Sequence, residues 1–544
     1  MLSAESRVLS LWLAAALGLV LALVVYPPHF LLGDAARFHN FVFPNDAIDY
    51  RLAWQALVDR GRPWPSLWTD LFNYPHGFPI SLLDALPLAA TAFRPFVSLL
   101  PDDFHYFGLW HAIAVTLQAV AGAIFARAAG VRHVLPCLAA AAFAVAMPIF
   151  VGRLNWTHVA LSTQGLLILA LALCIYTSRA RTSISFVFPR AAVLSLVSLA
   201  VHPLLALQVL LFCVLATALS TTSDERGRRA YGRGILLRAS AVVVLCVLFA
   251  VLCHALGIFA AQSFLAEQGL GSFGFSPWGM LVGEPDSLRQ LYQAPGPGLE
   301  QDAWLGWGCV LLLAAGFAFR PRFRISRTYY PLAGAIVFLA IVAVSPWVRI
   351  GTRLIDLSPF FHDVIIDLYA IHRATVRLAW PLVICLSLLP LLHFAARWPR
   401  NRGLAVLGAA FALQLYSISP YWSYEYRDAR VAVTHLEPLP ATLEGGSVLV
   451  LREQPREPDV VTVYPRYAMY LAVESGLPLT GGGFSRPPPS DPRRPGSDAL
   501  LSNGAGVRYL VPEADFPAGL PQLPVSCIKW EVLFVCLAEE EPGT

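Results

Sequence analysis

Between residues 8 and 418 the chain repeatedly runs apolar for about the 18 residues that a helix needs to cross a bilayer. Hydrocarbon offers no partner to backbone polar groups, so runs of this kind fold as helices that satisfy their own hydrogen bonds. The spans drawn from the sequence are 8–26, 106–126, 134–152, 158–177, 192–219, 236–258, 304–320, 330–348, 376–396 and 404–418. Composition agrees. Of 544 residues, 57% are hydrophobic and 14% charged, against about 25% charged in soluble domains. The mean hydropathy is +0.60. A net charge of +4 is too small and too spread for a nucleic-acid partner. The first run, MLSAESRVLSLWLAAALGLVLALVVYPP, has no small-x-small cleavage site ahead of YPPHF, which predicts a retained helix rather than a signal peptide.

Arginine sets the expected orientation, since Lys529 is the only lysine. The run 192–219 is too long for one span and carries His202-Pro203 near its middle, where proline breaks a helix. Read as a hairpin, it brings the total to about eleven crossings. With the N-terminus in the cytoplasm, the inside loops become 127–133, 178–191, 220–235, 320–329 and 397–403. Arginines fill them, from Arg127 and Arg132 to Arg400 and Arg402, and their only acids are Asp224 and Glu225. That is the positive-inside pattern. Loops 27–105, 259–303 and 349–375 fall outside, and the other loop acids collect there. The stretch 82–100, with Asp84, Arg94 and two prolines, is placed as an interfacial or re-entrant helix on the outer side.

Beyond residue 418 the composition turns polar. About 125 residues remain, enough for a domain. SVLVL, GVRYLVP and WEVLFVCL read as strands, and RYAMYLAVESG as a helix ended by glycine. The expected organisation is a membrane domain over 1–418 and a small extracytoplasmic α/β domain over 419–544.

Chemistry-bearing residues concentrate in the outer loops. Asp46 and Asp49 stand three apart in PNDAIDYRLAW, beside Tyr50, Arg51 and Trp54. They are either solvated loop acids or a pair that binds or deprotonates a ligand. Arg349, Arg353, His372, Arg373 and Arg377 flank the last outer loop. Guanidinium matches phosphate geometry bidentately, and contact with lipid headgroups is the plainer alternative. Arg153 and His158 mark the outer end of a span, where a histidine is more often an interfacial cap. Seven cysteines lie in apolar runs without metal-type spacing and read as small core residues. Cys527 and Cys536 flank CIKWEVLFVC, and outside the cytoplasm they are free to form a disulfide if the run turns back as a hairpin. No Walker loop, GxGxxG, GxSxG, HExxH or paired CxxC is present, so a cytoplasmic nucleotide-dependent reaction has no support.

The layout resembles the GT-C superfamily of polyprenol-dependent membrane glycosyltransferases. Shared features are a first helix followed by a long outer loop with an early Asp, a broken helix pair and a soluble C-terminal domain outside. More narrowly, it is similar to a bacterial group of GT-C-like proteins. The matching segments are DAIDYRLAW from Asp46, SLLDALPL around Asp84, FHYFGLW at 104–110, HVALS, HPLL, LEQDAWLGWG and TVRLAWP. FHYFGLW is the sharpest. The resemblance implies that Asp46 is the general base, and that Asp84 and Glu300 are the acids of the narrower group. Ala47 stands where the familiar second acid would follow, and Asp49 is the candidate substitute.

The reading is therefore an enzyme of the outer membrane face. It would move a sugar from a polyprenyl-phosphate donor to an envelope glycan, lipid or protein. Asp46 and Asp49 would be catalytic; Asp84, Arg153, His158, Glu300, His372, Arg373 and Arg377 would bind substrate. The sequence assigns no definite cofactor, and loop acids of this kind leave room for a divalent metal. The bilayer is the other partner, and the expected location is a bacterial inner membrane. The alternative is a non-catalytic lipid-linked glycan transporter or envelope assembly subunit.

Overall fold

The computed structural model describes residues 4–26, 28–31, 47–73, 76–83, 85–101, 104–155, 158–221, 228–260, 274–282, 303–319, 326–350, 353–371, 374–397, 400–423, 448–451, 463–479, 507–512, 525–530 and 533–538. Helices dominate them. In chain order the principal ones are α1 (Ala4–Val25), α2 (Ala47–Arg60), α3 (Phe107–Ala128), α4 (Val134–Val145), α5 (Pro148–Asn155), α6 (Gly165–Ala180), α7 (Ile184–Val201) and α8 (Pro203–Leu219). There follow α9 (Arg228–Ala255), α10 (Trp307–Phe319), α11 (Tyr330–Val344), α12 (Asp363–Ile371), α13 (Trp380–Arg397), α14 (Arg400–Ser423) and α15 (Val463–Ser475). Among the described residues six helical stretches are long and apolar enough to cross a membrane: Val8–Val25, Phe107–Ala128, Ile184–Val201, Gly232–Ala255, Arg327–Val344 and Thr375–Ala395. The pair α4 and α5, bent by 50°, would add a seventh as one broken span.

The chain divides into two compact units. One comprises 1–33, 106–252 and 266–428; the other comprises 34–105, 253–265 and 429–544.

In the first unit α3 is central and packs on α1, α4 and α6. Its side chains explain this: Ala114, Ala119, Ala121, Ala123 and Ala126 are fully buried, and small residues let helix backbones approach closely. Gly108, in the FHYFGLW run, shows the limit of that approach. A Cβ there would run into the backbone carbonyl of Phe30 in the short helix Pro28–Leu31. Gly108→Ala is therefore expected to cost about 1–3 kcal/mol by overpacking. Thermal unfolding of the detergent-solubilised variant checks this, and an unchanged midpoint would refute it.

Helices α7 and α8 pack along each other with only His202 between them. His202 is extended (φ −159°), and its Nδ1 accepts from the Leu204 N–H at 3.2 Å. That bond caps α8, whose first residue, Pro203, needs no donor. The hairpin begins at Ile184, earlier than the 192 drawn from the sequence. The apolar stretch ISFVF carries the helix past Arg190, whose guanidinium bonds the Phe186 carbonyl at 2.8 Å and lies 3.5 Å over its ring. The span drawn from 158 starts as a helix only at Gly165. Ser162, Thr163 and Gln164 precede it, and such side chains compete with helix by bonding nearby backbone; the Ser162 hydroxyl donates to the Val159 carbonyl at 2.7 Å.

The second unit joins the segment after the first apolar helix to the C-terminal chain. Strand β1 (Trp68–Thr69) pairs antiparallel with β2 (Phe78–Pro79). Further along the chain, in the first unit, β3 (Trp347–Ile350) and β4 (Arg353–Asp356) form a separate hairpin. Strands β5 (Val448–Leu451), β6 (Val507–Pro512), β7 (Val525–Trp530) and β8 (Leu533–Ala538) form a sheet of order β5-β6-β8-β7. Only β5–β6 is parallel; β7 and β8 pair antiparallel, with Cys527 opposite Cys536. Helix α15 ends at Gly476, whose φ of +66° is the left-handed conformation glycine adopts without strain. From there the chain reaches the first loop: the Leu479 N–H donates to the Leu71 carbonyl and the Leu449 N–H to the Pro478 carbonyl, both at 2.8 Å.

Candidate functional site

In the second unit the acid-bearing segment is a helix. Asp46 lies outside the described residues, directly before Ala47, where α2 starts. Asp49 is half-buried in the first turn of α2. A helix N-terminus favours a carboxylate there, by about 0.3–1 kcal/mol. The rest of α2 is anchored. Tyr50, Trp54 and Leu57 are buried, and the Trp54 indole N–H donates to the Phe104 carbonyl at 2.9 Å. The Thr69 hydroxyl donates to the Ala56 carbonyl at 2.8 Å. Arg60 donates to the Gly476 carbonyl at 3.0 Å, and α15 packs on α2. The C-terminal chain thus braces the helix that carries Asp49.

The following loop is held by two arginines. Arg62 pairs with Asp70 at 3.0 Å, donates to the His76 carbonyl at 2.8 Å and stacks over Trp68 at 5.0 Å. Arg94 donates to the carbonyls of Arg62 and Ser66. Desolvation in that position lowers the Arg94 pKa from its ordinary value.

The first unit carries a second polar group, built on a helix break. Pro148 has no N–H, so the Ala144 carbonyl loses its helical partner. Gln118 of α3 supplies one through Nε2 at 3.0 Å. The Phe150 and Val151 N–H groups both turn to the Met147 carbonyl, at 3.0 Å each. The Ala146 carbonyl is then taken by Nε2 of Gln414 from α14 at 3.0 Å. Gln164 closes the set by donating to the Ile149 carbonyl at 2.9 Å. Three glutamines from three parts of the chain thus satisfy the backbone that the break exposes.

The break directs α5 inward to Arg153, which is only 1% exposed and among the largest fully buried side chains. Its carbonyl accepts from the His158 N–H at 3.2 Å, and the His158 carbonyl accepts from the Ser162 N–H at 3.0 Å. The turn then reaches Thr163, whose hydroxyl accepts from the Trp110 indole N–H at 3.0 Å. Arg153 and His158 therefore belong to one local structure. A guanidinium buried in an apolar helical unit is costly to hold and marks a functional site by default. Its fork suits a phosphate or a carboxylate.

Arg377 lies elsewhere in this unit, half-buried in the 3-10 turn Thr375–Ala379 ahead of α13. The Thr375 hydroxyl ties that turn to the end of α11 by donating to the Ala343 carbonyl at 2.9 Å. Arg349 and Arg353 stand in β3 and β4. Asp84, Glu300, His372 and Arg373 lie outside the described residues. Among the described residues no three of His, Cys, Asp and Glu gather as a metal ion would need.

Sequence reasoning singled out Arg153 and His158 but missed the glutamine set. Its signal was present: Pro148 inside an apolar run, Gln118 and Gln414 in apolar runs, and Gln164 after Ser162 and Thr163 at the start of one.

Residues 15–419 match the model of a family described as a domain of unknown function (DUF6311). No curated protein matches. A solved structure of the oligosaccharyltransferase of Archaeoglobus fulgidus, in complex with zinc and sulfate, is similar at 12% identity and a TM-score of 0.36, covering 93% of this chain and 68% of that one. A likeness at this level establishes neither a shared fold nor a shared reaction.

Proposed function

We propose that this chain, which belongs to the DUF6311 family, is a membrane glycosyltransferase that uses a polyprenyl-phosphate-linked sugar on the outer face of a bacterial inner membrane. The observation that carries the reading is the acid-bearing helix α2. It follows the first apolar helix in the chain, starts at Ala47 directly after Asp46, carries Asp49 in its first turn, and is braced along its length. The GT-C resemblance assigns Asp46 its role, and the apolar runs and arginine pattern give about eleven crossings and an outward C-terminal domain. Asp46 takes the proton of an acceptor hydroxyl. The acceptor oxygen bonds the anomeric carbon, and the bond from that carbon to the phosphate oxygen breaks. The polyprenyl phosphate leaves with the electron pair, and Arg373 and Arg377 hold its charge. Asp84, Glu300, His372, Arg153 and His158 are assigned to substrate binding. Purified protein should transfer label from a polyprenyl-phosphate sugar to an envelope acceptor. Absence of transfer from a panel of such donors would end the reading.

One observation favours the transporter alternative. Transporters place charge and discontinuous helices in the membrane interior, and α4 and α5 form a broken pair leading to the buried Arg153. Movement of a labelled lipid-linked sugar across proteoliposomes, without turnover, would select that reading.

A disulfide between Cys527 and Cys536 is part of the same proposal, and the β7–β8 register supports it. Opposed residues of an antiparallel pair have Cα atoms about 4.5–5.5 Å apart, within the about 4.4–6.8 Å that a disulfide spans. The bond also requires an oxidising compartment. Mass spectrometry of unreduced peptides should recover the two cysteines linked. Free thiols at both, in protein alkylated before lysis, would refute the bridge and weaken the outward placement of the domain.

A further inference from the structure

The segment between α11 and α13 carries an apolar face that no described part of the protein covers. It leaves α11 at Val344, forms the β3–β4 hairpin, a 3-10 turn at Ser358–Phe360 and helix α12, and re-enters an apolar stretch at Thr375. Phe360 is 84% exposed and Val364 59%, and Phe361 and Ile365 are also exposed. Val364 and Ile365 stand in the first turn of α12, and Phe360 and Phe361 stand just ahead of it, Phe361 in extended conformation (φ −106°). Polar groups rim the patch: Asp356, which accepts from the Ser358 N–H at 2.8 Å, and the exposed His362 and Asp363.

We infer that this face is seated in the outer leaflet of the lipid bilayer, with the Phe360 and Phe361 rings at the boundary between headgroups and acyl chains. Continuity argues for lipid over a protein partner. Helix α11 is part of an apolar stretch long enough to span, and its exposed residues Val337, Phe338 and Ile341 form a lipid-type stripe. The chain leaves that stripe and reaches β3 within three residues, at Trp347, and its other end runs directly into the apolar stretch Thr375–Ala395. Both ends are thus anchored in membrane-crossing stretches, which holds the segment against the bilayer surface. A short helix with exposed apolar residues in its first turn, preceded by two exposed phenylalanines, is what such a surface accepts. The inference stands whether the protein is a transferase or a transporter.

The test replaces Phe360 with p-benzoylphenylalanine in the full-length protein, reconstituted in phosphatidylcholine vesicles and irradiated. The same probe at Phe338 serves as the lipid-facing control. The expected result is an acyl-chain adduct on the peptide carrying residue 360, in yield comparable to that at 338. A cross-linked dimer would assign the face to a second copy. A link to another segment of the chain would assign it to an internal contact. An unreacted probe at 360 beside a lipid adduct at 338 would place the face in water. Each of these three outcomes overturns the inference.

Discussion

Replacing Asp46 with asparagine is expected to lower sugar transfer by about 10²–10⁴-fold, the usual worth of a general base. Asparagine keeps the size and a hydrogen-bonding oxygen but cannot take the acceptor proton, so the loss should fall on kcat and leave KM near its original value. Asp49→Asn should cost less. Asp49 sits in the first turn of α2, and the resemblance assigns the base to Asp46, with Asp49 only the candidate substitute for the second acid. The ratio of the two effects separates the roles, and equal losses would mean that the acids act as a pair. Full activity in Asp46→Asn would sink the assignment of the base. In the transporter reading neither change alters flipping of a lipid-linked sugar by such a factor.

The glutamine that closes the helix break should be the most sensitive polar residue in the apolar unit. Nε2 of Gln414 donates to the carbonyls of Ala146 and Leu305, both at 3.0 Å, and its Oε1 accepts from the Cys309 N–H at 3.2 Å. Gly306 and Gly308 make room for it, since a Cβ at either would meet the Gln414 side chain. Gln414→Leu keeps the volume and strands three buried backbone groups. Each stranded group costs about 1–3 kcal/mol. Bonds inside membrane proteins often measure nearer 1 kcal/mol, so a total loss of about 3 kcal/mol is expected. Thermal unfolding in detergent reads it. Gln414→Glu, which loses both amide donors and sets a buried carboxyl against two carbonyl oxygens, should cost at least as much. A leucine variant as stable as the parent would show that the break does not depend on this amide.

Much of the helical scaffold was legible in the sequence. Apolar run length depends only on local composition, and each run drawn between residues 8 and 418 holds helix among the described residues. Pro203 is legible because it falls near the middle of a run too long for one span, and His202 turns the chain there; Pro189 and Pro390 stay inside α7 and α13, so proline alone does not mark a break. The boundaries near 158 and 192 were less legible. Ser162–Gln164 replaces a helical turn with side-chain bonds, and Arg190 stays in a helix by folding its charge onto Phe186. Both depend on where a single side chain finds its partner.

The candidate site divides the same way. Residue type and position marked Asp49 as an acid beside the first span, and Arg153 as a charge at a span's end. Composition cannot show that Arg153 is buried, because burial depends on the bend between α4 and α5. That bend is held by amides at 118, 164 and 414, far apart in the chain. Nor does the sequence show that the C-terminal chain pairs with the first loop through Leu71 and Leu479, or that Cys527 falls opposite Cys536. Apolar run length acts locally, so the sequence alone located the helices, but the bend at Pro148, inside the single span drawn over 134–152, was not read from it. Which distant group satisfies each exposed carbonyl is a question of three-dimensional proximity, and only the tertiary structure decided it.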